Sequence, residues 1–252
     1  MINFSPLLQQ DEAVDDLQLK GLKIIQKNRG FRFGTDAVLL TYFTGLKNRE
    51  SVMDLCTGTG IIPLLFSGKS DAKKIYGLEI QAKYADMAER SVRLNNLEDR
   101  VKIILGDVRD HALLESLGRF DVVTANPPYK MAGTGHTNPE DELTIARHEV
   151  KMTLEDVISA ADRLLRPNGR LILVHRPERL LDIVMTMRQY HLEPKRIQMA
   201  APAFGKAPNI MLVEGKKHQK PYLKWEPQIE IYKADGTYAD LVKEIYGDGR
   251  HG

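Results

Sequence analysis

The stretch that decides the fold is Val52-Met53-Asp54-Leu55-Cys56-Thr57-Gly58-Thr59-Gly60. Its apolar first half predicts a buried strand, and its glycine-rich second half predicts a tight turn. The apolar run Ile61-Ile62-Pro63-Leu64-Leu65-Phe66 follows and predicts a helix, because a proline is tolerated near a helix's first turn. Glycines let a backbone approach a ligand closely, and the start of a helix favours negative charge. The sequence therefore predicts a ligand site at this turn.

Two further predicted strands, 74–79 and 101–105, lead into acidic residues, Glu79 and Asp107. A carboxylate at the end of the first strand can accept hydrogen bonds from both hydroxyls of a ribose, as nicotinamide dinucleotides and S-adenosylmethionine both require. Asp107 could accept a hydrogen bond from an adenine amine. Pro63 stands where a dinucleotide fingerprint has its third glycine, which makes a nicotinamide cofactor less favoured. The pattern thus predicts a nucleoside site, although either acid alone could be a surface or capping residue.

A second candidate site is Asn126-Pro127-Pro128-Tyr129, directly after the predicted strand 120–125. Ligands of open α/β sheets bind at the carboxyl ends of strands. This set suits methylation of a planar nitrogen, because the Asn126 amide oxygen and the Pro127 carbonyl could accept its N–H groups while the prolines fix the backbone. Tyr129 offers a flat face on which a base can stack. Asn-Pro alone would indicate an ordinary turn, whereas the four residues together favour a functional site.

Composition limits the remaining possibilities. The chain has 252 residues, 42% of them hydrophobic, so it can bury a full core, and its single cysteine, Cys56, excludes an intrachain disulfide and fits a reducing cytoplasm. No apolar run approaches the roughly 20 residues that span a bilayer. No zinc-ligand spacing occurs, so no metal is expected. The formal net charge is only +2, so nucleic-acid contacts would come from local clusters, namely Arg29 with Arg32, Lys195 with Arg196, and Lys216-Lys217-His218 with Lys220.

The remaining predicted elements surround this core. A hairpin is predicted from strands 22–27 and 31–33, followed by a helix that begins at Gly34-Thr35-Asp36 with Thr35 or Asp36 as its N-cap. Residues 130–147 are rich in Gly, Thr, Asn and Pro, which indicates either a disordered loop or a lid. Other predicted elements are helix 82–94, helix 153–165 with a Thr153/Asp156 capping box, a turn at 167–169, strand 170–175, helix 179–190, an antiparallel strand pair 195–200 and 210–214, strand 229–232 and a helix from Tyr238.

Together, the glycine turn, the two strand-end acids and the Asn-Pro-Pro-Tyr motif resemble those of class I S-adenosylmethionine-dependent methyltransferases over residues 30–215. The resemblance implies a Rossmann-like α/β fold, with a twisted, mostly parallel sheet of about seven strands, the last strand antiparallel, and helices on both faces. The sequence departs from the family pattern at Cys56, because the first residue of the loop is usually glycine. We expect an N-terminal segment at 1–48, a methyltransferase core at 49–217 and a C-terminal appendage at 218–252.

More narrowly, Phe33-Gly34-Thr35-Asp36, Asp54-Leu55-Cys56-Thr57-Gly58, Asn126-Pro127-Pro128-Tyr129 and Ala146-Arg147-His148-Glu149 resemble the bacterial methyltransferases that act on adenine-37 N6 of valine tRNA. This resemblance implies S-adenosylmethionine as cofactor and the tRNA anticodon loop as substrate. The residues it implies for the cofactor are Thr35, Asp36, Asp54, Cys56, Thr57, Gly58, Gly60, Glu79, Ile80, Asp107, Val108 and Asn126, and those for catalysis are Asn126, Pro127, Pro128 and Tyr129.

Four other functions stay open at this point. Protein glutamine N5-methyltransferases use the same tetrad on a planar amide, but they usually carry a substantial helical domain before the glycine loop, where this chain has only about 50 residues. Ribosomal RNA guanine N2-methylation is a second alternative. A cofactor- or RNA-binding module without catalysis is a third, and the intact tetrad argues against it. A nicotinamide oxidoreductase is the most distant.

Overall fold

The structure is a computed structural model, and it describes residues 7–28, 34–127 and 152–246. Several sequence predictions lie outside these residues. They are the strand 31–33, the cluster Arg29 with Arg32, Pro128 and Tyr129, the segment 130–147, and Ala146-Arg147-His148-Glu149.

The described residues form a chain of alternating strands and helices. In order, these are β1 (Glu12–Asp16), β2 (Lys23–Lys27), α1 (Thr35–Thr44), β3 (Val52–Leu55), α2 (Ile61–Lys69), β4 (Ile75–Glu79), α3 (Ala82–Leu94), β5 (Val101–Leu105), α4 (His111–Ser116), β6 (Phe120–Ala125), α5 (Leu154–Leu164), β7 (Leu165–His175), a 3₁₀ turn (Pro177–Arg179), α6 (Leu180–Gln189), β8 (Leu192–Ala203), β9 (Ile210–Lys217), β10 (Lys224–Trp225), β11 (Ile229–Tyr232) and α7 (Asp240–Tyr246).

The main sheet of the described residues has nine strands in the order β10-β8-β9-β7-β6-β3-β4-β5, and β11 pairs with β8 beside β10. Strands β7, β6, β3, β4 and β5 run parallel to one another, whereas β9 is antiparallel to both β7 and β8. The predicted mostly parallel α/β sheet is confirmed. Two strands more than the predicted seven are present because the C-terminal tail adds β10 and β11, both parallel to β8, to the outer edge.

Both faces of the sheet are covered, because successive residues of a strand point to opposite sides. In β7, Ile172 and Val174 join an apolar cluster with α1, α2 and α7, whereas Leu171 and Leu173 join a second cluster with α5 and α6. Continuous apolar runs are typical of strands that are buried on both faces. The arrangement confirms the prediction of helices on both sides.

Local differences from the sequence predictions have identifiable causes. Strand β2 pairs with β1, whose acidic sequence gave no strand signal, and α4 and β10 are too short for a periodic pattern. The N-cap of α1 is Gly34, and neither Thr35 nor Asp36 caps it. The turn predicted at 167–169 lies inside β7 as a looped-out segment, because Leu165 and Arg170 pair with Phe120 and Val122 of β6.

The β1-β2 hairpin is anchored to α3 by a buried ion pair. The Arg90 guanidinium donates to both carboxylate oxygens of Glu12, over 2.6 and 2.9 Å, and also to the Leu7 carbonyl. These bonds and the Arg90 charge outweigh the effect of burial and lower the pKa of Glu12. A bidentate pair satisfies both groups and fixes the position of the hairpin.

Replacing Glu12 with Ala tests this anchor. The change leaves the buried Arg90 charge without its main partner, which typically costs about 3–5 kcal/mol. Urea unfolding should show that loss, whereas Glu89→Ala on the exposed surface of α3 should stay within about 0.5 kcal/mol of wild type. A loss below about 1 kcal/mol for Glu12→Ala would show that the pair contributes little.

Candidate active site

Four neighbouring strands deliver the predicted site residues to one edge of the sheet. Leu55, the last residue of β3, lies opposite Ala125 of β6 and Leu78 of β4, and Glu79 lies opposite Leu105 of β5. The segments that follow these strand ends are therefore adjacent. The structure brings together Cys56, Thr57, Gly58, Gly60, Glu79, Ile80, Asp107, Val108, Asn126 and Pro127 at this edge.

The glycine loop after β3 has three residues in the left-handed region, Cys56, Gly58 and Gly60, with φ of 58°, 57° and 82°. Only glycine adopts this region without strain, so Cys56 carries a conformational cost. Gly60 also packs closely, because a Cβ there would lie 2.9 Å from Ala88 Cβ. The Thr57 amide donates to the Leu78 carbonyl over 3.0 Å, which fastens the loop to β4.

Asp54 of strand β3 holds the same loop in place through hydrogen bonds. It has no exposed surface, and its two oxygens accept hydrogen bonds of 2.7 Å from the hydroxyls of Thr57 and Thr124. Burial raises the pKa of Asp54 to about 7, against the lowering effect of the two hydroxyls, and the nearby Glu79 charge raises it further. The carboxyl thus ties the loop after β3 to strand β6.

The Glu79 carboxylate is buried beneath the loop. Its oxygens accept hydrogen bonds from the backbone amides of Gly58, over 2.8 Å, and Gln81, over 2.9 Å. Burial raises the pKa of Glu79, and the amide bonds act in the opposite direction. The Ile80 backbone amide acts on the carboxylate as well, and a carboxylate accepts about four hydrogen bonds, so a position remains for a further donor.

The donor set at this edge fits a nucleoside with an attached charged chain. The Thr59 hydroxyl is buried at the start of α2, and within the described residues it has no hydrogen-bond partner. A buried polar group of this kind is normally paired, and a polar ligand atom would pair it. Ile80 is partly exposed beside Glu79 and offers an apolar surface of the kind a purine covers, with Val108 buried near it. The residues present therefore fit S-adenosylmethionine.

Asp107 has a partner that the sequence analysis missed. The Arg109 side chain and backbone amide both donate to its carboxylate, and Arg109 is the main reason that the pKa of Asp107 is lowered. Asp107 is therefore a charged acceptor at neutral pH, half-buried at the end of β5. A spacing of two residues in a loop gives no sequence signal, because only the loop conformation brings the two side chains together.

Thr35 and Asp36 are the first residues of α1. At the other end of this helix, Arg170 from the middle of β7 donates to the carbonyls of Thr44 and Gly45. A ten-residue helix is about 15 Å long, so its first turn lies toward the carboxyl edge of the sheet. The Thr35 hydroxyl is 3.3 Å from the Tyr246 hydroxyl of α7, and Asp36 accepts from the Ala37 amide. Tyr246 was not predicted, since its contact with Thr35 joins opposite ends of the chain.

The described part of the Asn-Pro-Pro-Tyr motif follows β6 directly. Asn126 is partly exposed and Pro127 is buried. On the neighbouring loop, the Cys56 sulfur lies 3.5 Å from the Met152 sulfur. The amide of Asn126 thus stands one strand away from the glycine loop.

Two searches of the described residues gave negative results. In residues 7–28, 34–127 and 152–246, no group of three His, Cys, Asp or Glu side chains is placed to hold a metal ion. In the same part of the chain, no helix has the length and hydrophobicity needed to span a bilayer.

Comparison with known proteins identifies relatives of the chain. Residues 28–191 match the methyltransferase small domain family. A tRNA1(Val) (adenine(37)-N6)-methyltransferase of Porphyromonas gingivalis is 32% identical over 206 residues, which cover 79% of this chain and 80% of that protein. A protein of the same name from Aeromonas hydrophila is 29% identical, with 85% and 88% covered.

The fold also has relatives of known structure. A predicted O-methyltransferase from Agrobacterium tumefaciens superimposes with a TM-score of 0.68 at 20% identity, covering 84% of this chain and 96% of the other. Because the sequence identity is low, this superposition supports the shared Rossmann-like fold alone.

The buried Asp54 carboxyl predicts a specific pH dependence of stability. Its folded pKa, about 7, exceeds the ordinary value of 3.8, so its contribution to stability is complete below pH 4 and is lost as pH rises through 7. Each pH unit in this window costs about 1.4 kcal/mol. Urea unfolding at pH 5, 6, 7 and 8 should show Asp54→Asn gaining stability relative to wild type as pH rises. Parallel pH profiles of the two proteins would contradict the assignment.

The left-handed conformation of Cys56 predicts an order of stability. Cys56→Gly should stabilise the protein by about 1 kcal/mol because it relieves the strain, and Cys56→Val should destabilise it because a branched Cβ fits this region poorly. Thermal melting of both variants measures the order, and calorimetry with S-adenosylmethionine tests whether the loop keeps its shape. A valine variant as stable as wild type would refute the proposed strain.

Proposed function

The chain belongs to the methyltransferase small domain family and to the family of the tRNA1(Val) (adenine(37)-N6)-methyltransferases, and from this premise we propose that it methylates N6 of an adenine in the tRNA anticodon loop. The observation that carries the proposal is the position of Asn126 and Pro127. They follow β6, beside the glycine loop of β3 and next but one to the strand that ends in Glu79. A nucleoside cofactor and a planar amine would therefore meet at the same edge.

Bound S-adenosylmethionine supplies an electrophilic methyl group on its sulfonium. Glu79 would hold the ribose by accepting a hydroxyl at the position that the Gly58, Gln81 and Ile80 amides leave available. Asp107 would accept the adenine amine, with Ile80 and Val108 beside the ring. The remaining cofactor residues, Thr35, Asp36, Cys56, Thr57, Gly58 and Gly60, are assigned to the methionine side, where the Thr59 hydroxyl is a further candidate, and Asp54 would act through Thr57.

The exocyclic amine of adenine is a poor nucleophile, because its lone pair is delocalised into the ring. The Asn126 amide oxygen and the Pro127 carbonyl would each accept one N–H of the amine and turn its lone pair toward the methyl group. Burial of Pro127 holds that carbonyl in place. The proton leaves after transfer, so no dedicated general base is required, and positioning supplies most of the rate enhancement.

The substrate assignment follows from the relatives and from the chemistry of loops. A base in a single-stranded loop is flipped at small cost, because little pairing is lost. Tyr129, which lies outside the described residues, is proposed to stack on the flipped base, with Pro128 fixing the turn. The relatives in P. gingivalis and A. hydrophila are named for adenine-37 of tRNA1(Val), and we propose the same target here.

Replacing Asn126 with Ala should abolish most methyl transfer and leave the affinity for S-adenosylmethionine within a few-fold of wild type. The reason is that the amide orients the substrate amine, whereas the cofactor is held chiefly by the loops after β3, β4 and β5. Single-turnover transfer and calorimetry measure the two effects separately. Glu79→Ala is the matched control, because it should weaken cofactor binding first. An active Asn126→Ala protein would refute the role of Asn126.

The reaction itself is tested by transfer of labelled methyl groups to bulk unmodified tRNA, followed by digestion to nucleosides. We expect the label in N6-methyladenosine, because the site orients an exocyclic amine. Label in another nucleoside would keep the mechanism and overturn the proposed base. Label in a release-factor glutamine or in ribosomal guanine, with none in tRNA, would assign the chain to one of those reactions instead.

A further inference from the structure

Two basic clusters that are far apart in the sequence converge on the edge of the sheet opposite Asn126. Lys195 and Arg196 lie near the start of β8, and Lys216 lies near the end of the antiparallel strand β9. The Lys195 ammonium donates to the Lys220 carbonyl over 3.0 Å, which draws the segment after β9 across β8. The two clusters thus border one open groove of about 630 Å³ at the amino ends of the parallel strands.

The groove is more positive than the protein as a whole. Seven of its fourteen lining residues are Lys or Arg and three are Asp or Glu, so its formal charge is 7 − 3 = +4, whereas the whole chain carries +2. The rest of the chain is therefore net negative. A concentration of positive charge in one groove attracts polyanions.

Two of these cations have a structural role in the fold, whereas others are exposed and contribute little to it. Arg170 and Arg196 donate to the last carbonyls of α1 and approach the buried Glu214 carboxylate, so both stabilise the fold. Lys216 and Lys224 have side chains that are 40% and 58% exposed. The Lys216 ammonium lies 3.9 Å from Glu214, and the Lys224 ammonium pairs with Glu226 over 2.9 Å. Exposed pairs of this kind contribute little to stability, so the lysines are available to a ligand.

An aromatic side chain stands among the lysines. Tyr222 lines the groove and is 70% exposed, and the Lys195 ammonium lies 5.6 Å from the centre of its ring. Trp225 is also exposed, but it follows Lys224 in β10 and therefore points to the opposite face of the sheet. An aromatic face beside cations is an arrangement with which proteins bind single-stranded nucleic acid, because a base stacks on the ring while phosphates meet the charges. Folding alone would favour burying such a large ring.

We propose that this groove binds the phosphodiester backbone of the RNA substrate away from the modified loop, with Tyr222 stacking on an unpaired base. The inference rests on the proposed function. The carboxyl and amino ends of the parallel strands are about 17 Å apart, which is the length of the six-residue strand β6. An RNA whose loop base reaches Asn126 can therefore extend to the groove along the outer edge formed by β10 and β11.

A set of neutralising variants tests the proposal in the full chain. The groove variant is Lys47→Ala/Lys216→Ala/Lys224→Ala, and the matched control is Lys20→Ala/Lys73→Ala/Arg93→Ala, which removes three exposed charges outside the groove lining. We expect the groove variant to weaken binding of unmodified bulk tRNA at least tenfold and to raise KM with little change in kcat. The slope of the logarithm of affinity against the logarithm of salt concentration should become less negative by about 2, as expected for lost phosphate contacts. The control should stay within threefold.

The variant Tyr222→Ala tests stacking without a change of charge, and Trp225→Ala, an exposed aromatic residue outside the groove lining, is its control. We expect Tyr222→Ala to lose roughly 5- to 100-fold in RNA affinity with an unchanged salt dependence, and Trp225→Ala to stay near wild type. Calorimetry with S-adenosylmethionine should give the wild-type affinity for every variant, which shows that the carboxyl edge is intact.

Other outcomes would rule out the groove proposal, alone or together with the proposed function. If wild type methylates tRNA and the groove variants bind it like the control, the groove proposal falls and the proposed function stands. If wild type neither binds nor methylates tRNA, both fall. Charge-dependent binding of poly-glutamate with no corresponding effect on RNA would assign the groove to an acidic protein instead.

Discussion

The buried carboxyl of Asp54 is the constraint on which the site depends. By accepting from Thr57 and Thr124 it joins the glycine loop to β6, and Asn126 follows Thr124 by only two residues. The loop in turn gives its Gly58 amide to Glu79. One network of buried hydrogen bonds therefore sets the position of Glu79, which suits a ribose, relative to Asn126, which suits a planar amine. Such networks specify a unique arrangement when every group is satisfied.

The two ends of the parallel strands carry different sets of charged groups and suit different tasks. Acids converge at the carboxyl ends of the parallel strands, where Glu79 and Asp107 can receive hydroxyl and amine donors. Lysines and arginines converge at the amino ends, where they suit phosphates. A chain with a net charge of only +2 can hold a polyanion in this way, because local charge within about one Debye length governs the attraction.

The ends of the described chain complete this arrangement. The N-terminal hairpin is held by the Glu12–Arg90 pair, and α7 packs against α1 with Tyr246 beside Thr35. Strands β10 and β11 cover the outer edge of β8, which would otherwise expose unpaired backbone groups. The same tail supplies Tyr222 and Lys224 to the groove. Covering a sheet edge and offering a nucleic-acid surface are compatible, because pairing uses the backbone and leaves these side chains exposed.

The sequence by itself determined the elements whose signals are local. Helix 82–94 and strand 101–105 have the predicted bounds, and the capping box of Thr153 with Asp156 is present, because periodicity and capping involve residues within a few positions of one another. The strand-end acids and Asn126 were likewise predictable, since the carboxyl ends of parallel strands share one edge. Tertiary structure alone decided the pairing of β2 with β1, the Arg109 partner of Asp107 and the groove between Lys195 and Lys220. Those features depend on loop conformation or on contacts between distant residues, which no local pattern encodes.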